Sequence, residues 1–154
     1  MSRQQLFESV FFELPRGWED RTTYKFVGPE PENLSLGPTL STAQKLRPNL
    51  VVTKTMLEEG RSLADFCDEQ LGQIKSNVPG FKLKNRADEM MEGIKGVRLH
   101  LSFQFPPTGL PIEQVHIYLP RGKAVIGLIY SFLPGNTKGA LEELERMVES
   151  MSFD

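Results

Sequence analysis

Residues 95–105, KGVRLHLSFQF, decide how the rest of this chain is read. Val97, Leu99, Leu101, Phe103 and Phe105 alternate with Arg98, His100, Ser102 and Gln104. A period of two gives a β-strand one apolar face and one polar face. Pro106 and Pro107 end the run, because proline cannot donate to a ladder. Similar runs at 112–119 and 124–133 follow after short turns, so the three read as a meander. The last of them, AVIGLIYSFL, is apolar on both parities and belongs in the centre of the sheet.

Working back towards the N-terminus, Leu6–Leu14 reads as a strand with apolar residues on both parities. Pro15-Arg16-Gly17 reads as a turn and Trp18–Val27 as the returning strand, which makes a hairpin. LPRG recurs at Leu119–Gly122, and its flanks do not match, so it is shared turn chemistry and no internal repeat. Gly28–Pro48 has no period and holds Pro29, Pro31, Pro38 and Pro48 together with Leu34, Leu36, Leu40 and Leu46. Two readings of it stay open: a surface loop pinned by leucines, or an arm that touches a partner. Asn49–Leu57 is a further strand. Ser62 with Asp65 is a weak capping box that starts a helix. Leu63, Phe66, Cys67, Leu71 and Ile74 share its apolar face, which makes Cys67 a core thiol. Phe81–Met91 is a strand that alternates poorly, and either Glu92-Gly93 or Lys95-Gly96 supplies the bend after it. Asn136 or Thr137 caps a final helix with a buried stripe from Ala140 to Met151 and a solvated acidic side.

The sequence thus predicts one α/β (α+β) domain over 1–154, a twisted and mainly antiparallel sheet of six or seven strands with two main helices. The chain has 154 residues, 39% of them apolar, which suits a single core. A net charge of −2 supplies no basic field for a nucleic-acid backbone. The single cysteine allows no internal disulfide. The N-terminus carries Glu8 and Glu13 where a signal peptide needs an apolar core, and no run is long enough to insert stably in a membrane, so the expected location is cytoplasmic.

No chemistry-bearing motif stands out. Phosphate-binding loop, dinucleotide fingerprint and nucleophile elbow are all missing from the sequence. His100 and His116 each lie on the more polar parity of a strand and could approach each other if those strands are neighbours, but no third metal ligand accompanies them. No catalytic residue, no metal and no cofactor is expected. What remains is a sheet face. If both helices cover one side, the other presents Tyr24, Phe26, His100, Gln104, Gln114, His116 and Tyr118. These are apolar bodies with hydrogen-bonding tips, suited to an apolar client with a few polar groups. The competing reading is an ordinary solvated antiparallel face.

FFELPRGWEDRT at 11–22 and NLVVTKTMLEEGRSLADFCDEQL at 49–71, with the proline–glycine–Phe81 step and the apolar strand after Gly96, together resemble the DcrB-like family. The resemblance spans nearly the whole chain and implies a PsbP-like fold. The long 28–48 segment departs from the family pattern. Signal-less members include Eag-type chaperones, cytoplasmic adaptors of the type VI secretion system. The resemblance therefore implies a homodimeric, non-enzymatic chaperone that shields the N-terminal transmembrane helices of an effector and helps load it on a spike protein. The runner-up is a structural or protein-binding subunit of a secretion or envelope complex. The expected client groove is lined by Tyr24, Phe26, His100, Gln104, His116 and Tyr118.

Overall fold

The computed structural model describes residues 2–6, 10–18, 23–29, 47–106 and 108–153. The described elements are β1 (Ser2–Leu6), β2 (Val10–Leu14), β3 (Tyr24–Val27), β4 (Asn49–Met56), α1 (Leu63–Asn77), β5 (Lys82–Met91), β6 (Ile94–Phe105), β7 (Leu110–Arg121), β8 (Ala124–Phe132) and α2 (Thr137–Glu149). Six strands form one antiparallel sheet in the order β3–β4–β8–β7–β6–β5. With the two described helices this is the predicted α+β architecture. The β6–β7–β8 meander sits inside it, and β8 lies near the centre, as its two apolar parities require.

Local chemistry explains each boundary. The capping box of α1 is complete: the Ser62 hydroxyl accepts from the Asp65 N–H, and the Asp65 carboxylate accepts from the Ser62 N–H. On α2 the Asn136 side chain accepts from the Gly139 N–H. Glu92-Gly93 makes the β5–β6 bend, with both residues at positive φ, which matches the twist of a two-residue hairpin. The other candidate for that bend, Gly96, lies inside β6, where the backbone of β7 comes close. The poor alternation of β5 has two causes. The ladder shifts register between Leu83 and Asn85, and β5 is an edge strand whose charged side chains face water.

Two expectations are corrected. Leu6–Leu14 is not one strand paired with Trp18–Val27: β1 pairs with β2, Ser2 opposite Leu14, and β3 pairs with β4. Apolar residues on both parities fit two short strands as well as one long one, and β3 gains a ladder on the main sheet, where Phe26 lies opposite the buried Leu50. Residues 7–9 and 19–22 of those runs lie outside the described residues. So do residues 30–46 of the long loop, but its ends are tied. Gly28 N–H donates to the Pro48 carbonyl at 2.7 Å and Arg47 Nε donates to the Gly28 carbonyl at 2.6 Å, so the loop joins two paired strands. The other correction matters more for the site: the two described helices do not share a face of the sheet.

On one face α1 covers β6 and β7, packing Phe66 and Cys67 onto Leu99, Tyr118 and Val125, with Ile74 and Val78 against Leu101, Phe103 and Ile112. On the other, α2 covers β7 and β8, packing Leu144 and Val148 over Val115, Ile117, Leu128 and Tyr130. Each fully buried aliphatic side chain contributes about 1.5–3 kcal/mol. Cys67 is fully buried and burial pushes its thiol up to about 11, which is the chemistry of a core residue.

Candidate functional site

Each helix covers only part of its face, and among the described residues no helix lies over β4 or the adjoining Ile129 of β8 on the α1 side. Between α1 and those strands lies a cleft of about 450 Å³. Its floor is Gln114, His116 and Tyr118 of β7 with Ile129 of β8, and β4 contributes Thr53 and Thr55. Its wall is one stripe of α1, Phe66, Gln70, Gln73, Ile74 and Asn77, closed at the end by Val78 and Phe103. The wall residues recur at three- and four-residue steps, so they lie on one side of the helix.

None of the thirteen described residues that line it is Asp, Glu, Lys or Arg, in a chain where those four types make up 25%. At that frequency thirteen positions would hold about three charges. The one titratable imidazole there is neutral. His116 is 4% exposed, and burial pushes its pKa down to about 4. Tyr118 is 3% exposed, and burial pushes its hydroxyl upward. A chain of hydrogen bonds crosses the floor. His116 Nδ1 lies 2.8 Å from the Tyr118 hydroxyl, His116 Nε2 lies 2.7 Å from Gln114 Oε1, and Gln114 Nε2 donates to Ser131 Oγ at 2.9 Å.

This burial has a pH consequence. The folded pKa of His116 lies below the ordinary 6.5, so its stabilisation is complete above pH 6.5 and is lost as pH falls towards 4. Stability is expected to drop by about 3 kcal/mol over that window. Chemical denaturation at a series of pH values checks this, and His116→Gln should flatten the slope.

The expected groove set does not come together. Pairing across the sheet places Tyr24, Phe26, His100 and Gln104 on the α2 face, and Gln114, His116 and Tyr118 on the α1 face. The physical reason is strand register: Val115, which lies opposite His100, points away from its neighbours Gln114 and His116. Tyr24 and Phe26 are 56% and 58% exposed on the edge strand. His100 instead joins a charged cluster under the start of α2. There the buried Glu113 accepts from Lys84, approaches His100 Nε2 at 3.3 Å, and accepts from the Thr137 hydroxyl at 2.6 Å. Burial would push the Glu113 carboxyl up, but hydrogen bonds from Lys84 and Thr137 and the charges of Lys84 and His100 hold it below the usual range. This cluster ties α2 to the sheet and to the β5 bulge. Among the described residues no three His, Cys, Asp or Glu side chains are grouped to hold a metal ion, and no helix is long and apolar enough to cross a membrane.

Sequence reading missed the wall and the β4 side of the cleft. Gln70, Gln73 and Asn77 at helical spacing, uncharged in an otherwise charged helix surface, are the signal that could have found the wall.

The family model described as DcrB matches residues 10–150. No curated protein matches. Among solved structures, protein PA94 of Pseudomonas aeruginosa is 21% identical and aligns over 100% of this chain and 97% of its own with a TM-score of 0.77. LpqN of Mycobacterium tuberculosis, described as involved in cell envelope biogenesis, is 15% identical over 86% of this chain and 84% of its own, with a TM-score of 0.53. The cyanobacterial PsbP of Synechocystis is 13% identical over 67% of this chain and 65% of its own, with a TM-score of 0.47. The shared fold rests on the first two.

Proposed function

The chain belongs to the DcrB family, and from that premise we propose that it is a non-enzymatic adaptor whose cleft between α1 and β4 receives an uncharged helical segment of a client protein. The observation that carries this reading is the lining: thirteen described residues, none of them Asp, Glu, Lys or Arg, around a neutral imidazole. An apolar segment loses nothing to unpaired charge there, whereas a charged one would leave its own charge unmatched.

The dimensions support a helix. Helices pack about 8–10 Å apart and strands lie about 4.8 Å apart, so a second helix beside α1 sits roughly two strands over. Those two strands are β8 and β4. The cleft itself takes a few side chains of such a helix, and β8 and β4 carry the rest.

The client class is an N-terminal transmembrane segment of a type VI secretion effector, held in the cytoplasm by a homodimer of this chain before delivery to the spike. The family resemblance supports it, and LpqN's role in envelope biogenesis is in keeping with a client bound for the envelope. Such a segment exposes apolar area that water disfavours by about 25 cal/mol per Å², so a bound partner should keep it soluble. Co-expression with an effector bearing N-terminal hydrophobic helices is expected to move that effector from the pellet to the soluble fraction and to co-purify the two. Equal solubility with and without this chain would contradict the proposal.

A further inference from the structure

We propose that the cleft floor selects a hydrogen-bond acceptor within its otherwise apolar client, and that His116 is the positioning residue that sets this preference. The inference rests on the cleft being the client site and adds what the floor recognises there.

The argument starts from one proton. The Tyr118 hydroxyl is buried, and among the described residues its one hydrogen-bond partner is His116 Nδ1 at 2.8 Å. If Nδ1 carried the imidazole proton, the hydroxyl would accept it and its own hydrogen would be buried without an acceptor, at full desolvation cost. The hydroxyl therefore donates to Nδ1, and the neutral ring carries its proton on Nε2. That Nε2–H donates to Gln114 Oε1 at 2.7 Å, which fixes the amide: its oxygen is held by His116 and its nitrogen faces Ser131. Gln114 Nε2 gives one hydrogen to Ser131 Oγ and keeps a second. Ser131 Oγ, having accepted, has its own hydrogen to give. Gln114 is half-buried in the floor. Each oxygen here already accepts one bond, whereas the remaining amide and hydroxyl hydrogens have no acceptor among the described residues, and an unpaired donor costs more than an oxygen's second lone pair. A donor in a low-dielectric cleft favours an acceptor and gains nothing from an alkyl group. Without His116 the amide could turn over and present its oxygen instead.

Two measurements test this. The first is the nitrogen spectrum of the His116 imidazole in the folded protein. The Nε2–H tautomer is expected, and the Nδ1–H tautomer would overturn the proposal. The second uses two uncharged Leu/Ala helices of about twenty residues, soluble through terminal lysines and identical except at one central position. One carries O-methylserine, an acceptor without a donor, and the other its isostere norvaline. Wild type is expected to bind the O-methylserine peptide about fivefold more tightly. Gln114→Leu and His116→Phe should each abolish that preference, read as the ratio of the two peptides' affinities for the same variant. Gln114→Leu carries the test of the floor should His116→Phe fail to fold, and the tautomer then decides the role of the imidazole. Equal binding of both peptides by wild type overturns the acceptor preference and leaves the client site standing. Persistence of the preference in a folded His116→Phe protein overturns the positioning role. If neither peptide binds, the client site falls and this inference falls with it.

Discussion

Ile129→Asp and Thr55→Asp are each expected to weaken client binding by about a hundredfold or more while the protein stays folded. Both residues line the cleft, Ile129 half-buried on the floor and Thr55 exposed on β4. With the cleft open to solvent, a carboxylate at either position is hydrated and costs little stability. Once a client covers it, the charge loses its water and finds no cation among the lining residues. An unpaired charge of that kind costs several kcal/mol, and 3 kcal/mol is already more than a hundredfold in affinity. Isothermal titration with a soluble hydrophobic helix, beside a melting curve, separates the two effects. Tyr24→Asp is the control, since Tyr24 is 56% exposed on the opposite face and should bind as wild type does. Tyr118→Asp does not serve as such a test. Tyr118 is 3% exposed and packs edge-on against Phe66 with ring centroids 5.3 Å apart, so the variant places a charge in the core.

A pair of glycine substitutions should change stability in opposite directions. Gly96 lies within β6, and a Cβ built there falls 2.3 Å from the Tyr118 carbonyl oxygen and 2.7 Å from Leu119 Cδ2. The first of these is backbone in a paired strand and cannot swing aside. Gly96→Ala must push β6 and β7 apart and is expected to cost about 3 kcal/mol. For a domain of this size that is a fall of roughly 6–12 °C in melting temperature. Gly72 is an exposed glycine inside α1 with open space around its Cβ position. Gly72→Ala should raise stability by about 0.5–1 kcal/mol through helix propensity and a less entropic unfolded chain. Equal melting temperatures for the two variants would contradict the close β6–β7 approach at Gly96.

The parts of the fold that could be read from the sequence are those whose signal is local. The alternation of Val97 to Phe105 marks β6, the Ser62–Asp65 pair marks the start of α1, and Glu92-Gly93 is one of the two glycine pairs that mark a bend before β6. Each is decided by a few neighbouring residues and a fixed geometry. The side of the sheet on which each helix packs is not local. Parity sorts the residues of one strand into two faces but does not say which face a following helix crosses. It also cannot align the parities of β3, β6 and β7 without the ladder register. For that reason parity alone groups Tyr24, Phe26, His100 and Gln104 with His116 and Tyr118, although the ladders place the first four on the opposite face. The bulge at Lys84 has the same character. The extra residue brings Lys84 within reach of Glu113, a contact between side chains 29 positions apart that no sequence pattern signals.

Where a hydrophobic helix binds can be read by cross-linking. Thr55→Cys and Tyr24→Cys place a thiol on opposite faces of the sheet, one on the cleft and one away from it. The native Cys67 does not compete, because it is fully buried and its thiol is pushed up to about 11. Each variant is mixed with a client helix carrying one activated cysteine at its centre. Rapid disulfide formation at Thr55→Cys, with Tyr24→Cys left free, is the predicted result. Cross-linking at Tyr24→Cys with none at Thr55→Cys would place the client on the other face and contradict the account.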